Sequence, residues 1–451
     1  MTVEEIRGAA RALVVCGARD FAVTGISTDS RSIKPGDLFV ALVGDRFDGH
    51  EFIRTALSAG ACGALYSRDF PITARDAQKV FLKVPDTLVA LGDVARSYRK
   101  TLSATIVAVT GSNGKTTTKE MTRHILEGRL STVASPASFN NFVGLPLTLF
   151  KADSATRVVV LEMGTNHPGE ISRLAEIAAP DIAVITNIGR THLKGLKSIE
   201  GVAAAKAELL HALGRDGVAI LNADDPMLMK MRSLVPARVF TFGLDKSADV
   251  FADGVQRDDS GFSFLINNAV RARLNVPGVH NVCNALAATA ISRRVGLDLA
   301  YVAERLAGFR LPAMRLEENL IRGAVVINDA YNANPESMAR AIDELAQRKA
   351  KRKVFVFADM LELGDASVAL HRELGAAAAA ARFDLYLATG REARYAVDAI
   401  VKSGVPASRA QLFDTVDELA AALAGRISAG DVVLIKGSRA MGLENVLVSL
   451  A

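Results

Sequence analysis

Two spacings of apolar residues alternate along this chain of 451 residues. Val3, Ile6, Ala10 and Leu13 recur every three or four positions and predict a helix over residues 3–15. Shorter apolar runs at 25–31 and 37–42 flank the turn Lys34-Pro-Gly36 and read as two strands. A helix near 50–59 and strands near 61–66 and 80–84 complete a small α/β unit, after which Pro85-Asp86 opens a helix over 87–98.

Beyond that point the alternation becomes regular. Strands are expected at 105–110, 157–162, 181–186, 217–221 and 237–242, with helices at 115–127, 169–178, 199–213 and 225–233. Residues 248–275 read as short antiparallel strands, closed by helices near 279–295 and 298–307, and Leu311-Pro-Ala-Met-Arg315 reads as a linker. The remainder alternates again, with strands at 324–328, 353–357, 384–388 and 431–435 and helices between them, the alanine-rich 376–381 forming only a short helical stretch. The expected fold is α/β with three domains: a small α/β unit over 1–84, a central P-loop-type, mostly parallel sheet with flanking helices over 85–312, and a Rossmann-like α/β unit over 313–451. The length suits three domains of ~150 residues each.

Composition narrows the class. Half the residues are apolar and 23% charged, an ordinary balance for a soluble chain. The net charge of +5 is modest, and the densest basic run, Arg348-Lys-Ala-Lys-Arg-Lys353, falls between a helix and a strand. It reads as a solvated helix end, so no nucleic-acid partner is expected. Three scattered cysteines form neither a disulfide framework nor a zinc motif. No apolar run reaches the ~18 residues that span a bilayer, and the acidic start Met1-Thr-Val-Glu-Glu5 is unlike a signal peptide. A cytoplasmic protein without membrane insertion is expected.

The chemistry centres on Thr110-Gly-Ser-Asn-Gly-Lys-Thr-Thr117, which follows an apolar strand and opens a helix. Backbone N–H groups and the helix N-terminus would favour anions, Lys115 could reach terminal phosphates, and a threonine hydroxyl could hold Mg²⁺. Val109 stands where the usual G-x-x-x-x-G-K-[ST] form has its first glycine. Glu162 ends an apolar strand, where ligands of open α/β sheets bind, and either reaches a magnesium ion or caps a helix. His192 follows another strand end and is open between ligand and packing residue. Lys206 and Glu208 look like ordinary helix residues. The loop Ile327-Asn-Asp-Ala-Tyr-Asn-Ala-Asn-Pro335 gathers polar groups after a strand and reads as either a binding loop or a turn. Signatures for acyl-enzyme hydrolysis, zinc proteolysis and dinucleotide redox chemistry are missing from the sequence.

Taken together, the cradle, the Glu162 strand, Asn187-Ile-Gly with His192, Lys206-Ala-Glu208 and Gly278-Val-His-Asn281 resemble the Mur ligases of peptidoglycan synthesis over the full length of the chain. Further matching stretches are Ser27-Thr-Asp-Ser-Arg-Ser-Ile-Lys-Pro-Gly-Asp-Leu-Phe-Val-Ala-Leu42, Arg46-Phe-Asp-Gly-His50, Asn140-Asn141 with Gly144-Leu-Pro-Leu-Thr148, Asn328-Asp-Ala-Tyr-Asn-Ala-Asn-Pro-Glu-Ser-Met338, Asp359-Met-Leu-Glu-Leu-Gly364 and Lys436-Gly-Ser-Arg439. Among these, the Asn-Asn, Tyr-Asn-Ala-Asn-Pro and Lys-Gly-Ser-Arg stretches most resemble the type of Mur ligase that would add D-alanyl-D-alanine to UDP-N-acetylmuramoyl-tripeptide through an acyl phosphate.

The resemblance implies ATP bound by Thr110, Gly111, Ser112, Asn113, Gly114, Lys115, Thr116 and Thr117, with Asn281, Arg315 and Asp329 on its adenine, phosphate and ribose sides. It implies Mg²⁺ beside Thr116 and Glu162, a second ion near His192, and a carbamate on Lys206, with Lys115, His192 and Lys206 in catalysis. Ser30, Arg31, Asn140 and Asn141 would meet the UDP-sugar-peptide, which places UDP recognition in the N-terminal unit. Asn332, Asn334, Lys436, Ser438 and Arg439 would meet the dipeptide and the acyl phosphate. A monomer is expected. Arg190-Thr191 departs from the family, which carries a small or proline-containing pair before the histidine, and Gly195-Leu196-Lys197 replaces a glycine-serine ending. Two rivals remain: a related ligase adding a different amino acid, and a scaffold that hydrolyses ATP only as a switch.

Overall fold

The computed structural model describes residues 1–18, 21–44 and 47–450. Arg46, part of one matching stretch, lies outside the described residues. Three sheets follow one another along the chain. In the first, β1 (Leu13–Cys16), β2 (Gly25–Ser27), β3 (Asp37–Val40), β4 (Gly63–Tyr66) and β5 (Val80–Lys83) are ordered β1-β5-β4-β3-β2, parallel except for the β1–β5 pair. The helix expected over 3–15 stops at Ala10. Arg11 turns left-handed at φ 51°, and the β-branched Val14 and Val15 continue as a strand on the sheet edge.

The central sheet holds β6 (Thr105–Thr110), β7 (Thr132–Ala134), β8 (Val158–Glu162), β9 (Ile182–Ile185), β10 (Val218–Asn222), β11 (Arg238–Gly243), β12 (Val250–Asp258), β13 (Gly261–Ile266) and β14 (Val270–Leu274). Their order is β14-β13-β12-β11-β10-β9-β6-β8-β7, parallel from β7 through β12 and antiparallel for the last two pairs. Helices cover both faces. Val107 and Val109 pack with Met121, Ile125 and the helix His280–Arg294 on one side, while Ile106 and Ala108 pack with Ile171, Leu174 and Leu209 on the other. Burial on both faces explains the unbroken apolar run of β6.

The third sheet contains β15 (Glu317–Ile321), β16 (Ala324–Asn328), β17 (Arg352–Ala358), β18 (Leu385–Thr389), β19 (Ala410–Phe413) and β20 (Asp431–Lys436), ordered β15-β16-β20-β17-β18-β19. The edge strands β15 and β19 escape the sequence reading. Both are half-exposed, so their apolar signal is weak. The alanine-rich stretch belongs to a longer helix, Ser367–Ala380, whose Leu370 and Leu374 supply the buried face.

The central and C-terminal units share packing. Leu193, Leu196, Val202 and Ala205 join the core that surrounds Phe355 and Phe357. On the opposite flank, Arg257 of β12 donates to Glu344 at 2.7 Å and to Gln347 at 2.5 Å, both on the helix Pro335–Gln347. Glu344 is buried, and Arg348 donates to it as well, at 2.8 Å. The buried carboxylate is therefore compensated by two guanidinium groups.

Phe355 is fully buried, stacked on Phe357 with ring centroids 4.9 Å apart. Phe355→Ala is expected to destabilise the C-terminal unit by about 3–5 kcal/mol, measured as a lowered urea midpoint. A change under about 1 kcal/mol would mean that the site collapses around the cavity.

Candidate functional site

A cleft of about 410 Å³ opens at the carboxyl ends of β6, β8 and β9 and is closed from the other side by the segment after β16. Its floor is the cradle. Gly111 has φ 148°, and a Cβ there would meet Thr186 Oγ1 at 1.9 Å. Gly114 has φ 82°, and a Cβ there would meet Asn284 Oδ1 at 2.3 Å. Only glycine fits both places. The cradle differs from expectation in one respect. The N–H groups of Ser112 and Asn113 do not point outward but donate to the Asn187 carbonyl and side-chain oxygens, each at 2.9 Å. The anion-facing donors are thus those of the first turn of the helix Lys115–Leu126, whose N–H groups have no partner within the helix.

Two side chains at the cradle share a hydrogen bond that crosses from helix to strand. Thr116 Oγ1 donates to Glu162 Oε2 at 2.8 Å and accepts from Arg315 Nη2 at 2.9 Å. Glu162 Oε1 accepts from Asn140 Nδ2 at 2.9 Å. Arg315 also lies over the Tyr331 ring, 4.0 Å from its centroid. Lys115 Nζ donates to the Gly111 carbonyl at 2.9 Å. Burial lowers its pKa, Glu162 raises it, and Arg315 lowers it again.

The C-terminal unit contributes the opposite wall. Lys436 Nζ donates to Asp329 Oδ2 at 2.6 Å and to the Asn332 carbonyl at 2.9 Å. Asn334 caps the helix Pro335–Gln347 through the Ser337 N–H. Its amide also exchanges two hydrogen bonds with that of Asn113, at 2.8 and 3.3 Å. Asn281 lines the cleft at the start of its own helix, its amide held by the Pro277 carbonyl and by Asn284.

Among the expected site residues, Ser112 to Thr117, Asn140, Asn141, Glu162, His192, Asn281, Arg315, Asp329, Asn332, Asn334 and Lys436 line this one cleft. Thr110 and Gly111 lie under it as its scaffold, Thr110 Oγ1 donating to the Met163 carbonyl at 2.8 Å. Asn141 also caps the short helix Gly144–Leu149 through the Val143 and Gly144 N–H groups. His192 sits in a left-handed conformation with its Nδ1 2.5 Å from Glu362. Five further residues lie outside the cleft lining: Ser30, Arg31, Lys206, Ser438 and Arg439. Ser30 and Arg31 occupy a turn of the N-terminal unit, where Arg31 pairs with Asp29 at 2.8 Å. Ser438 accepts from the Leu361 N–H, and Arg439 pairs with Glu444 at 2.6 Å.

Lys206 is not the ordinary helix lysine its spacing implies. It is 2% exposed and has no hydrogen-bond or ion-pair partner among the described residues. Burial, reinforced by the Lys115 ammonium, lowers its pKa well below the usual lysine value. Glu208 is not an idle neighbour either, accepting from the Gly169 and Ser172 N–H groups at the start of the helix Glu170–Ala178. Arg190 uses its N–H and Nε to hold Glu336, at 3.0 and 2.9 Å, and Nη1 to hold Glu373 at 2.9 Å. Sequence reasoning missed Tyr331, His280 and Arg340, which also line the cleft. His280 is held neutral, its pKa pushed down to about 3 by burial and by the Arg340 and Lys436 charges. Tyr331 and His280 lie inside stretches that the sequence singles out without assigning them a role, whereas Arg340 is revealed only by contact across units.

The donor set fits a hard cation. Thr116 and Glu162 present oxygen atoms together, and among the described residues no His, Cys, Asp or Glu trio forms a ready-made cage. Mg²⁺ typically takes one or two protein oxygens and completes its shell with phosphate and water.

Comparison with known proteins follows the same lines. Family profiles match as "Mur ligase family, catalytic domain" over residues 22–99, "Mur ligase middle domain" over 109–292 and "Mur ligase, glutamate ligase domain" over 314–439. The UDP-N-acetylmuramoyl-tripeptide–D-alanyl-D-alanine ligase of Bacillus subtilis is 36% identical over 434 residues, covering 95% of this chain and 93% of that protein. The crystal structure of MurF from Acinetobacter baumannii superposes with a TM-score of 0.90 at 31% identity, covering 100% of this chain and 98% of the other. The MurF ligase of Thermotoga maritima in complex with ADP gives a TM-score of 0.83 at 29% identity, covering 96% and 98%.

Gly111→Ala places a methyl group against Thr186. It is expected to weaken ADP binding at least ~10-fold, about 1.4 kcal/mol, by titration calorimetry with the far-UV spectrum unchanged. An affinity within about twofold of the parent would show that the turn accommodates the methyl group.

Proposed function

The chain belongs to the Mur ligase family, and from that premise we infer that it is an ATP-dependent amide-bond ligase. It adds D-alanyl-D-alanine to UDP-N-acetylmuramoyl-tripeptide through an acyl phosphate, giving the UDP-muramoyl-pentapeptide precursor of peptidoglycan. It thereby serves cell wall biogenesis, and through it cell shape and division. The observation that carries the mechanism is the Thr116–Glu162 pair at the mouth of the cradle, joined by Arg315 and faced by Asp329 and Lys436 across the cleft.

A carboxylate is a poor electrophile because expelling its oxygen is costly. Transfer of the γ-phosphoryl group from ATP to the terminal carboxylate of the tripeptide makes phosphate the leaving group. The amine of D-alanyl-D-alanine then attacks, and the tetrahedral adduct collapses to the amide and phosphate. Rate enhancement comes mainly from positioning and charge neutralisation. Lys115 and the first-turn N–H groups of residues 114–117 would hold the β- and γ-phosphates, with Asn281, Arg315 and Asp329 toward the adenine, phosphate and ribose sides. Thr116 and Glu162 would hold one Mg²⁺, and His192 would face a second. The ions supply charge neutralisation at the transferring phosphoryl group.

Lys206 fits a carbamate. A neutral amine adds to CO₂ with loss of one proton, and its burial beside Lys115 favours the neutral form. Carbamylation turns a disfavoured buried cation into an anion suited to the magnesium side. The unit over 1–84 is assigned UDP recognition, including Ser30 and Arg31, with Asn140 and Asn141 of the central unit, 85–312, meeting the sugar-peptide. The unit over 313–451 is assigned ATP closure and the dipeptide, through Asn332, Asn334 and Lys436 in the cleft and Ser438 and Arg439 behind it. The enzyme is assigned as a cytoplasmic monomer; among the described residues no helix is long and apolar enough to cross a membrane.

Phosphate release is expected to require ATP, UDP-N-acetylmuramoyl-tripeptide and D-alanyl-D-alanine together. Equal turnover with a single amino acid in place of the dipeptide would overturn the assignment, and turnover with ATP alone would favour a switch. Lys206→Ala is expected to lose at least ~100-fold in kcat, with partial recovery on adding short carboxylic acids. Unchanged activity would remove the carbamate from the mechanism.

A further inference from the structure

One buried cation next to the cradle plays no part in the chemistry above. Lys119 lies one helical turn after Lys115, so the two side chains project from the same face of the helix Lys115–Leu126. Lys115 faces the cleft, whereas Lys119 is 0% exposed. Its ammonium donates to the Ser135 carbonyl at 2.5 Å and the Ala137 carbonyl at 2.7 Å, and pairs with Glu120 at 2.8 Å. A lysine ammonium has three donors, and all three are taken. Lys119 therefore has nothing left for a ligand, and a buried ammonium kept at this place must serve the groups that it holds.

Those groups form a strained segment. Ala137 has φ 44°, a left-handed conformation uncommon for a residue with a side chain. Ser135, one of the two carbonyl acceptors, also takes the Glu162 N–H on its hydroxyl at 3.2 Å. Further on, Ser138, Asn140 and Asn141 line the cleft. Asn140 spans two neighbours, its amide on Glu162 Oε1 at 2.9 Å and its carbonyl on the Gly164 N–H at 2.9 Å. Anchoring the carbonyls at 135 and 137 thus sets where Asn140 and Asn141 stand relative to Glu162.

We propose that Lys119 is a positioning residue that holds the 135–141 segment, and through it Asn140 and Asn141, in the geometry that receives the UDP-sugar-peptide, so that the nucleotide cradle and the substrate side are joined through one turn of one helix. Lys119 matters to the reaction in this way only if Asn140 and Asn141 face that substrate, as assigned above.

The test is steady-state kinetics on the full-length enzyme with each substrate varied in turn. Lys119→Met keeps the length of the side chain and removes the ammonium. It is expected to raise KM for UDP-N-acetylmuramoyl-tripeptide at least ~10-fold while KM for ATP stays within about twofold. Adding Ala137→Gly, which adopts a positive φ without cost, should recover at least about threefold of that loss. Should Lys119→Met fail to fold, Ser135→Ala takes its place, removing only the hydroxyl that holds the Glu162 N–H, with the same split expected at about threefold or more. Parallel measurements on Asn141→Ala test the substrate assignment itself. If Asn141→Ala raises the UDP-substrate KM and Lys119→Met does not, the positioning role is wrong and the assignment stands. If neither does, both fall. An equal rise in both KM values, with no recovery from Ala137→Gly, would make Lys119 a general structural residue and overturn the proposal.

Discussion

Much of the cleft depends on the hydrogen bond from Thr116 to Glu162. It ties the first turn of the cradle helix to the end of β8, and each partner is engaged a second time, Thr116 by Arg315 and Glu162 by Asn140. Four elements therefore meet at the three oxygen atoms of two side chains: the cradle, a central strand, the segment 135–141 and the linker into the C-terminal unit. A site built this way is preorganised, because no single side chain can leave without exposing a buried polar partner.

The glycines of the cradle fit the same constraint. Val109 occupies the place of the first glycine in the longer phosphate-binding pattern, and it is fully buried in the central core. The close approaches fall instead at Gly111, against Thr186, and at Gly114, against Asn284. The shortened form is thus complete in itself, with Asn187 taking up the two N–H groups that the tighter turn directs inward.

The sequence made the central sheet legible because its strands are buried on both faces and its helices carry strong apolar periods. It misled at Leu13, whose helical spacing belongs to an exposed edge strand, and it was silent on β15 and β19, whose half-exposed residues alternate too weakly. Motif residues on one strand end or one turn, such as Lys115 and Glu162, could be read locally. Lys206, Lys119 and Arg340 could not, since burial and unit-to-unit contact decide their roles and neither has a local signature. Ser438 and Arg439 belong to a distinctive stretch that lies outside the cleft lining, Ser438 accepting from the Leu361 N–H and Arg439 pairing with Glu444.

The helix Pro335–Gln347 is held at both ends by the central unit, by Arg190 on Glu336 and by Arg257 on Glu344 and Gln347. Thirteen residues at 1.5 Å each make a rod of about 20 Å. A rod fixed at one end can still swing, and slack of 1 Å at the free end corresponds to a tilt of about 3° over that length. Two anchors remove the swing as well as the slide. Asn334 at one end of this rod and Arg340 near its middle are thereby aimed as well as placed. The accuracy of the cleft is set partly by a guanidinium on β12, well outside it.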